Sequence, residues 1–298
     1  MRKPQLGKVG LRSDNVLQRI LSPHADESGL RTPDGGAMFE ALHHTRLVHT
    51  PMGTKALISA GTGKPTVIFE SGLGHGKDAW GDVFNKVAAE TLSIAYDRAG
   101  YGQSERSAKP RHGKQIVEEL RAMLVAENIP PPYVLVGHSL GGTIVKLFAR
   151  SYPLEVAGVV LVDARHSDFA SRCRQNGVPR VLYEPPLALF VLARPVIRNE
   201  LAAAVTTTKQ ARRAGPFPKV PLIVLTQRRA ETHWPSGLGS TWVAAQRNMV
   251  KMSVLGRMEI CEGSGHNVHK DRPDVVVQAV LNVVNAVRYL QGKRKRLV

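Results

Sequence analysis

The sequence contains, at residues 133–143, the stretch YVLVGHSLGGT. Its first four residues form an apolar run that predicts a buried strand, and a helical pattern of apolar residues follows its last glycine. Between them stands G-x-S-x-G with Ser139 at its centre, the order of strand, sharp turn and helix that exposes a serine hydroxyl above a sheet edge. Side chains at Gly137 and Gly141 would collide with the neighbouring strand and helix. We therefore predict that Ser139 is a nucleophile.

Segments on both sides of this stretch alternate between strand-like and helix-like patterns. Short apolar runs predict strands, and apolar residues at three- and four-residue spacing predict helices packed on a sheet. This alternation indicates a mainly parallel sheet joined by crossovers. The first three strands are separated by turn-forming glycines and prolines, so we expect them to be linked as hairpins. The predicted strands lie at residues 47–49, 56–58, 66–69, 92–96, 133–136, 157–162, 222–225 and 258–261, and the predicted helices at 80–88, 115–126 and 143–149.

The chain has 298 residues, of which 43% are hydrophobic and 22% charged, so it can bury a sizeable core. We predict a single domain over residues 45–292. Residues 1–44 mix glycine, proline, serine and charge without periodicity, which predicts a poorly ordered basic extension. Residues 293–298 are predicted to be a basic tail. An insert at about 166–219 interrupts the alternation, and it is interpreted either as a helical lid or as extra helices packed on the core.

Basic residues outnumber acidic ones by 41 to 24, a net charge of +17. Part of the excess lies in residues 165–219, which contain ten Lys or Arg against three Asp or Glu, and part in the tail at 293–296. Net charge concerns partners and solubility rather than fold. A solvated basic surface is the simplest interpretation. An anionic membrane surface, an acidic substrate and weak nucleic-acid contact are the alternatives, and no specific nucleic acid is expected.

Several other chemistries lack the residues that they need. Cys173 and Cys261 have no partners at metal-ligand spacing, and no zinc or calcium motif is present. The glycines at residues 72–77 do not complete a phosphate-binding or dinucleotide-binding loop. No apolar run has the length of a membrane span, and none of secretory type follows the basic N-terminus. We expect no metal site, no cofactor and a cytoplasmic protein, with peripheral membrane contact as an option.

Further segments stand in a recognisable order around the serine motif. Residues 70–74 read ESGLG, residues 97–104 read DRAGYGQS, and residues 265–269 read GHNVH. Together with the serine motif, they resemble the α/β-hydrolase superfamily, in its lid-bearing esterase-like branch, over roughly Arg46 to Leu290. The resemblance implies a mainly parallel eight-stranded sheet flanked by helices, with a short helical lid insert.

The resemblance also implies roles for individual residues. His266 would be the general base that takes the proton of Ser139, because a serine hydroxyl is a poor nucleophile without one. His269, three residues further on, is the alternative base. The backbone N–H groups of Leu73 and Leu140 would form the oxyanion hole that stabilises the tetrahedral intermediate.

The acidic member of the triad is the point at which this sequence departs from the family. Most members place it just after the strand that lies here at 222–225, but residues 226–231 read TQRRAE and contain no Asp. Some members use the end of the sixth strand, where Asp163 follows five apolar residues. Asp163 is therefore the preferred acid, and Glu231 is the alternative.

This resemblance implies a serine hydrolase that cleaves a carboxylic ester through an acyl-enzyme on Ser139, with amides and thioesters as lesser options. The apolar residues at 187–196 favour a small-molecule ester with an apolar part. Two other hypotheses remain open. A cofactor-free perhydrolase or a carbon–carbon bond hydrolase would use the same residues, and a non-catalytic binding protein would keep only the fold.

Overall fold

The computed structural model describes residues 44–184, 193–228 and 235–295. These residues form one eight-stranded sheet and eight α-helices, with short 3-10 helices between some of them. The strands are β1 (Arg46–Val48), β2 (Lys55–Ala60), β3 (Thr66–Glu70), β4 (Ser93–Tyr96), β5 (Tyr133–His138), β6 (Val156–Val162), β7 (Leu222–Gln227) and β8 (Gly256–Cys261). The helices are α1 (Gly81–Ala88), α2 (Gly113–Ala126), α3 (Leu140–Ser151), α4 (Phe169–Gln175), α5 (Pro195–Arg213), α6 (Ser236–Val250), α7 (Val268–Asp271) and α8 (Pro273–Lys295).

The sheet has the strand order β1-β2-β4-β3-β5-β6-β7-β8, and every pair from β4 to β8 is parallel. Strand β2 pairs antiparallel with both β1 and β4, so it runs in the opposite direction to the other seven strands. The prediction of a mainly parallel eight-stranded sheet is thus confirmed. The expectation of hairpins holds for β1 and β2 but is wrong for β2 and β3, because β4 lies between them and pairs with both. The turn-forming residues 61–65 end one strand and start another without pairing the two.

The central strands are buried on both faces, as expected for a parallel sheet covered by helices. In β5, Val134 and Val136 pack into a core formed with α1 and α8, whereas Leu135 packs into a second core formed with α2 and α3. These alternate orientations follow from the period of two along a strand. The carboxyl ends of β5, β6 and β7 meet at one sheet edge, where ligands bind in folds of this type.

The insert contains α4 and α5 within its described part. Helix α5 packs against α2 and α3, and Thr207 and Gln210 on α5 accept hydrogen bonds from the first backbone N–H groups of α2, those of Gly113 and Lys114. The movement of a lid therefore stays a prediction. Most of the apolar segment at 187–196 lies outside the described residues.

Nearly all of the predicted extension, 1–44, lies outside the described residues. Helix α8 continues to Lys295, so the first residues of the predicted tail belong to it, and contact of that tail with an anionic membrane stays a prediction. Among the helices of the described ranges, none combines the length and the apolar character that crossing a membrane requires.

Candidate active site

Ser139 occupies the turn between β5 and α3, with φ 52° and ψ −113°. This strained conformation persists because the backbone on both sides is tightly packed. A Cβ at Gly141 would lie 2.1 Å from the carbonyl oxygen of Glu70, and a Cβ at Gly137 would lie 2.7 Å from that of Gly141. The two glycines thus let the helix approach the sheet closely enough to lift the serine above its edge.

His266 lies between Ser139 and Asp163 in a continuous hydrogen-bonded chain. Its Nε2 is 2.9 Å from the Oγ of Ser139, and its Nδ1 is 2.6 Å from Oδ2 of Asp163. An ionised carboxylate only accepts hydrogen bonds, so Nδ1 carries the hydrogen and Nε2 presents a lone pair to the serine. The structure therefore brings together three side chains from three different loops. His269, the alternative base, instead lies beside His138, with 4.4 Å between the two ring centroids.

Asp163 follows β6 directly and is fully buried, with a positive φ of 42°. Besides the bond to His266, its carboxylate accepts four others. Oδ1 accepts from the hydroxyl of Thr226 at 3.1 Å, from the backbone N–H of Gln227 at 3.2 Å and from Nε1 of Trp242 at 2.9 Å. Oδ2 accepts from the side-chain amide of Gln227 at 2.8 Å. Such bonds stabilise the charged form of a buried carboxylate and fix its position.

Sequence reasoning missed the partners of this carboxylate. Thr226 and Gln227 end β7, the strand after which most family members carry their acid, and here they hydrogen-bond to Asp163 instead. The sequence feature that could have identified them is the pair of polar residues at the carboxyl end of an apolar strand. Trp242 lies on α6, a helix that the sequence analysis did not predict. The alternative acid, Glu231, lies outside the described residues.

Leu73 and Leu140 line the same cavity as Ser139. Leu140 is the first residue of α3, so its backbone N–H has no hydrogen-bond partner within the helix. The N-terminus of a helix, where this N–H lies, favours the binding of an anion. Leu73 belongs to the loop after β3, which lies next to the serine, since an added Cβ at the preceding Gly72 would be 3.4 Å from Cβ of Ser139. Both predicted oxyanion donors therefore belong to residues that line the cavity beside the serine.

A buried ionic network holds the loop that carries Leu73. The guanidinium of Arg98 donates to the carbonyl oxygens of Ser71 and Gly72 at 2.6 and 3.0 Å, and to the carboxylates of Glu70 and Glu200. Burial opposes the charge of Arg98, but the two glutamates outweigh it and raise its pKa well above the usual value. The hydroxyl of Tyr101 donates to Glu200 and accepts from the N–H of Gly74. The sequence analysis missed the role of Arg98.

Three histidines cluster beneath the serine turn. His75 lies in the loop after β3, His138 ends β5 and His269 lies on α7. One ring nitrogen from each histidine lies within 4.8 Å of the other two. Each of these residues has a buried Nδ1 with no hydrogen-bond partner among the described residues. Burial lowers the pKa of all three, that of His269 to about 3. The rings are therefore neutral near pH 7. No spacing motif relates positions 75, 138 and 269, so sequence analysis could not group them.

A cavity of about 420 Å³ opens beside Ser139. One part of its wall is apolar and another is basic. The apolar side chains belong to Leu73, Leu140, Ala170, Leu201, Ala204 and Val205, and the basic ones to Arg165, Arg174, Lys209 and Arg212. Helix α5 contributes Leu201, Ala204, Val205, Lys209 and Arg212 to this wall, so the insert shapes the cavity.

The fold, the serine turn and the histidine loop are those of the α/β hydrolases. The model of the Alpha/beta hydrolase family matches residues 67–279, and the chain belongs to this family. The uncharacterized protein YqjL of Bacillus subtilis (strain 168) is 27% identical over 223 residues, which cover 75% of this chain and 85% of that protein. YbdG of the same strain, also uncharacterized, is 34% identical over 105 residues, and the match spans only 32% of its length.

Solved structures agree with this assignment at the level of fold. An esterase from Thermogutta terrifontis superposes with a TM-score of 0.58 and 18% identity, covering 82% of this chain and 99% of the esterase. The epoxide hydrolase CorEH superposes with a TM-score of 0.54 and 14% identity, covering 80% and 98%. Since the same fold carries different hydrolytic reactions, the reaction of this chain must be argued from its own site.

Proposed function

We propose that this protein is a serine hydrolase that cleaves a carboxylic ester through an acyl-enzyme on Ser139. The observation that carries the proposal is the unbroken hydrogen-bonded chain from Ser139, which lines a cavity, through His266 to the buried Asp163. Each of the three side chains has the contact that its role requires, and the third is oriented by four further hydrogen bonds. A non-catalytic protein would have no need of this alignment.

The geometry supports a two-step acyl transfer. As Oγ of Ser139 attacks the ester carbonyl, His266 takes its proton at Nε2 and Asp163 stabilises the imidazolium that forms. The backbone N–H groups of Leu73 and Leu140 donate hydrogen bonds to the negatively charged oxygen of the tetrahedral intermediate and so stabilise it. His266 then protonates the leaving alcohol. In the second step a water molecule, deprotonated by the same imidazole, attacks the acyl-enzyme and releases the acid.

The apolar side of the cavity, formed by Leu140, Leu201 and Val205 among others, suits an ester with an apolar part. A perhydrolase or a carbon–carbon bond hydrolase would use the same three side chains. The products separate these reactions, because ester hydrolysis releases one acid and one alcohol for each bond that is cleaved.

Labelling with a fluorophosphonate tests the proposal. The probe should label the wild-type protein at Ser139, and Ser139→Ala should lose both labelling and the hydrolysis of 4-nitrophenyl hexanoate while circular dichroism shows an intact fold. Ser151→Ala is the matched control, since Ser151 is exposed at the end of the same helix, and it should behave as wild type. Full turnover by a folded Ser139→Ala protein would contradict the proposal.

A further inference from the structure

The basic wall of the Ser139 cavity has more positive charge than its carboxylates balance. Two glutamates also line the cavity: Glu200 is paired with Arg98 and Tyr101, and Glu184 is paired with Arg180, while the charge of Glu184 also acts on Arg165. Arg212 contacts Asp168 at 3.3 Å. Among the described residues, the lining side chains of Arg165, Arg174 and Lys209 have neither an ion pair nor a side-chain hydrogen bond.

Arg165 is the best placed of these cations. Its backbone N–H donates to the carbonyl oxygen of Ser139 at 3.2 Å. Its own carbonyl oxygen accepts from Thr143 and from the buried ammonium of Lys146 at 3.2 and 2.7 Å. The backbone of Arg165 is therefore fixed to α3, next to the nucleophile. Its side chain is partly buried, and burial lowers its pKa, so a bound anion would stabilise the charged guanidinium.

The geometry points to an anion subsite in this cavity: we propose that the ester substrate carries a negatively charged group, a carboxylate or a phosphate, which Arg165 binds with help from Arg174 and Lys209. This inference rests on the proposed ester hydrolysis and names its substrate class. It also gives a role to the basic segment at residues 165–219, because that segment supplies all three cations. A cleft lined by charges of one sign concentrates substrates of the opposite sign.

A matched pair of esters tests the subsite. The monoester of hexanedioic acid with 4-nitrophenol has a free carboxylate, whereas 4-nitrophenyl hexanoate has the same chain length and no charge. We expect kcat/KM to be about tenfold or more higher for the anionic ester, which corresponds to about 1.4 kcal/mol. The preference should weaken as salt rises. Hexanoyl-glycerol 3-phosphate against monohexanoylglycerol provides the phosphate pair.

Two variants distinguish a specific anion subsite from an effect of the overall positive charge of the protein. Arg165→Gln should lower the ratio of kcat/KM for the anionic ester to kcat/KM for the neutral ester by about tenfold, and Arg213→Gln, which removes an exposed charge outside the cavity, should leave that ratio as in wild type. Calorimetric binding of both esters to Ser139→Ala measures the same preference without turnover. Equal affinity of that variant for the charged and neutral esters would refute the subsite even if ester hydrolysis is established. Absence of hydrolysis together with selective binding of the anionic ester would instead refute the proposed reaction and keep the subsite.

The cluster of His75, His138 and His269 carries a second, independent inference. Nε2 of His138 lies 2.9 Å from the carbonyl oxygen of His266. A carbonyl only accepts, so Nε2 carries the hydrogen and the unpartnered Nδ1 has a free lone pair. Metal-binding histidines are commonly oriented in this way, with the second nitrogen donating to a backbone carbonyl.

We further infer that these three histidines bind a transition-metal ion such as Zn²⁺. Neutral imidazoles are the form that ligates metals. Ligand nitrogens about 2.1 Å from a tetrahedral zinc ion lie about 3.4 Å apart. The nitrogens here are all within 4.8 Å of one another, so small ring movements would bring them to a shared ion. Gly72 leaves room, since a Cβ there would lie only 2.7 Å from Nδ1 of His138. The nearby ammonium of Lys270 opposes a cation.

Titration with Co²⁺ tests the metal site on the intact chain. We expect one Co²⁺ per chain with the visible absorption of a four-coordinate ion, its displacement by Zn²⁺, and a rise of the unfolding temperature with Zn²⁺. His75 is the least buried of the three, so His75→Ala should fold and lose both effects. His44→Ala removes an exposed imidazole elsewhere and should retain them. A spectrum equal to that of free Co²⁺, or an unchanged response in folded His75→Ala, would refute the site.

Discussion

Arg98 and Glu200 form a buried ion pair in which Nε and Nη2 of the arginine donate to the two carboxylate oxygens of the glutamate at 2.8 and 2.9 Å. The two residues are 102 positions apart, one in the turn after β4 and the other on α5. Because Arg98 also donates to the carbonyl oxygens of Ser71 and Gly72, the pair connects the insert to the loop that carries Leu73. The position of the candidate oxyanion donor therefore depends on a helix of the insert.

Removing one partner of this ion pair should strongly destabilise the folded protein. Glu200→Gln leaves the guanidinium of Arg98 without one of its two buried counter-charges, so we expect a loss of about 3–5 kcal/mol in the free energy of unfolding. Urea denaturation measures it. The partly exposed pair of Arg121 and Glu155 is the control, and Arg121→Gln should cost about 0–1 kcal/mol. Equal losses in the two variants would show that burial does not set the strength of the pair.

Asp163→Asn should lower kcat by roughly 10³- to 10⁴-fold, because an amide cannot hold the imidazole of His266 in the required tautomer. Trp242→Phe removes only one of the five hydrogen bonds to the carboxylate, so a smaller loss of about tenfold or less is expected. Steady-state kinetics with 4-nitrophenyl hexanoate measure both. Glu231→Gln should cost less than about tenfold, and a larger effect there than in folded Asp163→Asn would transfer the role to Glu231.

Gly141→Ala should abolish folding or activity. The added methyl group would lie 2.1 Å from the carbonyl oxygen of Glu70, so β3 or α3 would have to shift at the serine turn. Overpacking of this kind costs about 1–3 kcal/mol or more. Gly292→Ala is the control, since nothing lies within 4 Å of its added Cβ in α8. It should be neutral or stabilise the protein by up to about 1 kcal/mol. Normal melting and labelling of Gly141→Ala would contradict the packing described for this turn.

Lys146 should make stability depend on pH above neutrality. Burial lowers the pKa of its ammonium to about 7 in the folded chain, against an ordinary value of 10.5. Between these values the unfolded chain binds more protons, so this group raises the free energy of unfolding as pH increases from about 7 towards 10.5. Lys146→Met should accordingly be more stable relative to wild type at pH 6 than at pH 9. Urea denaturation at both values measures the difference, and a pH-independent difference would contradict the shift.

The sequence was sufficient for the features that depend on local pattern. Apolar runs predicted all eight strands, and the arrangement of glycines around Ser139 predicted the serine turn, because a strand, a turn and a helix adjacent in the chain leave a continuous signature. Local sequence patterns did not predict which strands pair with each other. Residues 61–65 look like a hairpin turn, but β4, which is more than 20 residues further on, pairs with the strands on both sides.

The tertiary structure alone decided which distant side chains meet. The sequence left Asp163 and Glu231 as alternatives, and only the folded chain places Asp163 against His266, 103 positions away, with Thr226, Gln227 and Trp242 around it. The buried pair of Arg98 and Glu200 and the histidine cluster left no spacing signal for the same reason. Periodicity reports how a residue faces its own strand or helix, whereas contacts across the sheet edge depend on the order in which the strands and the insert are assembled.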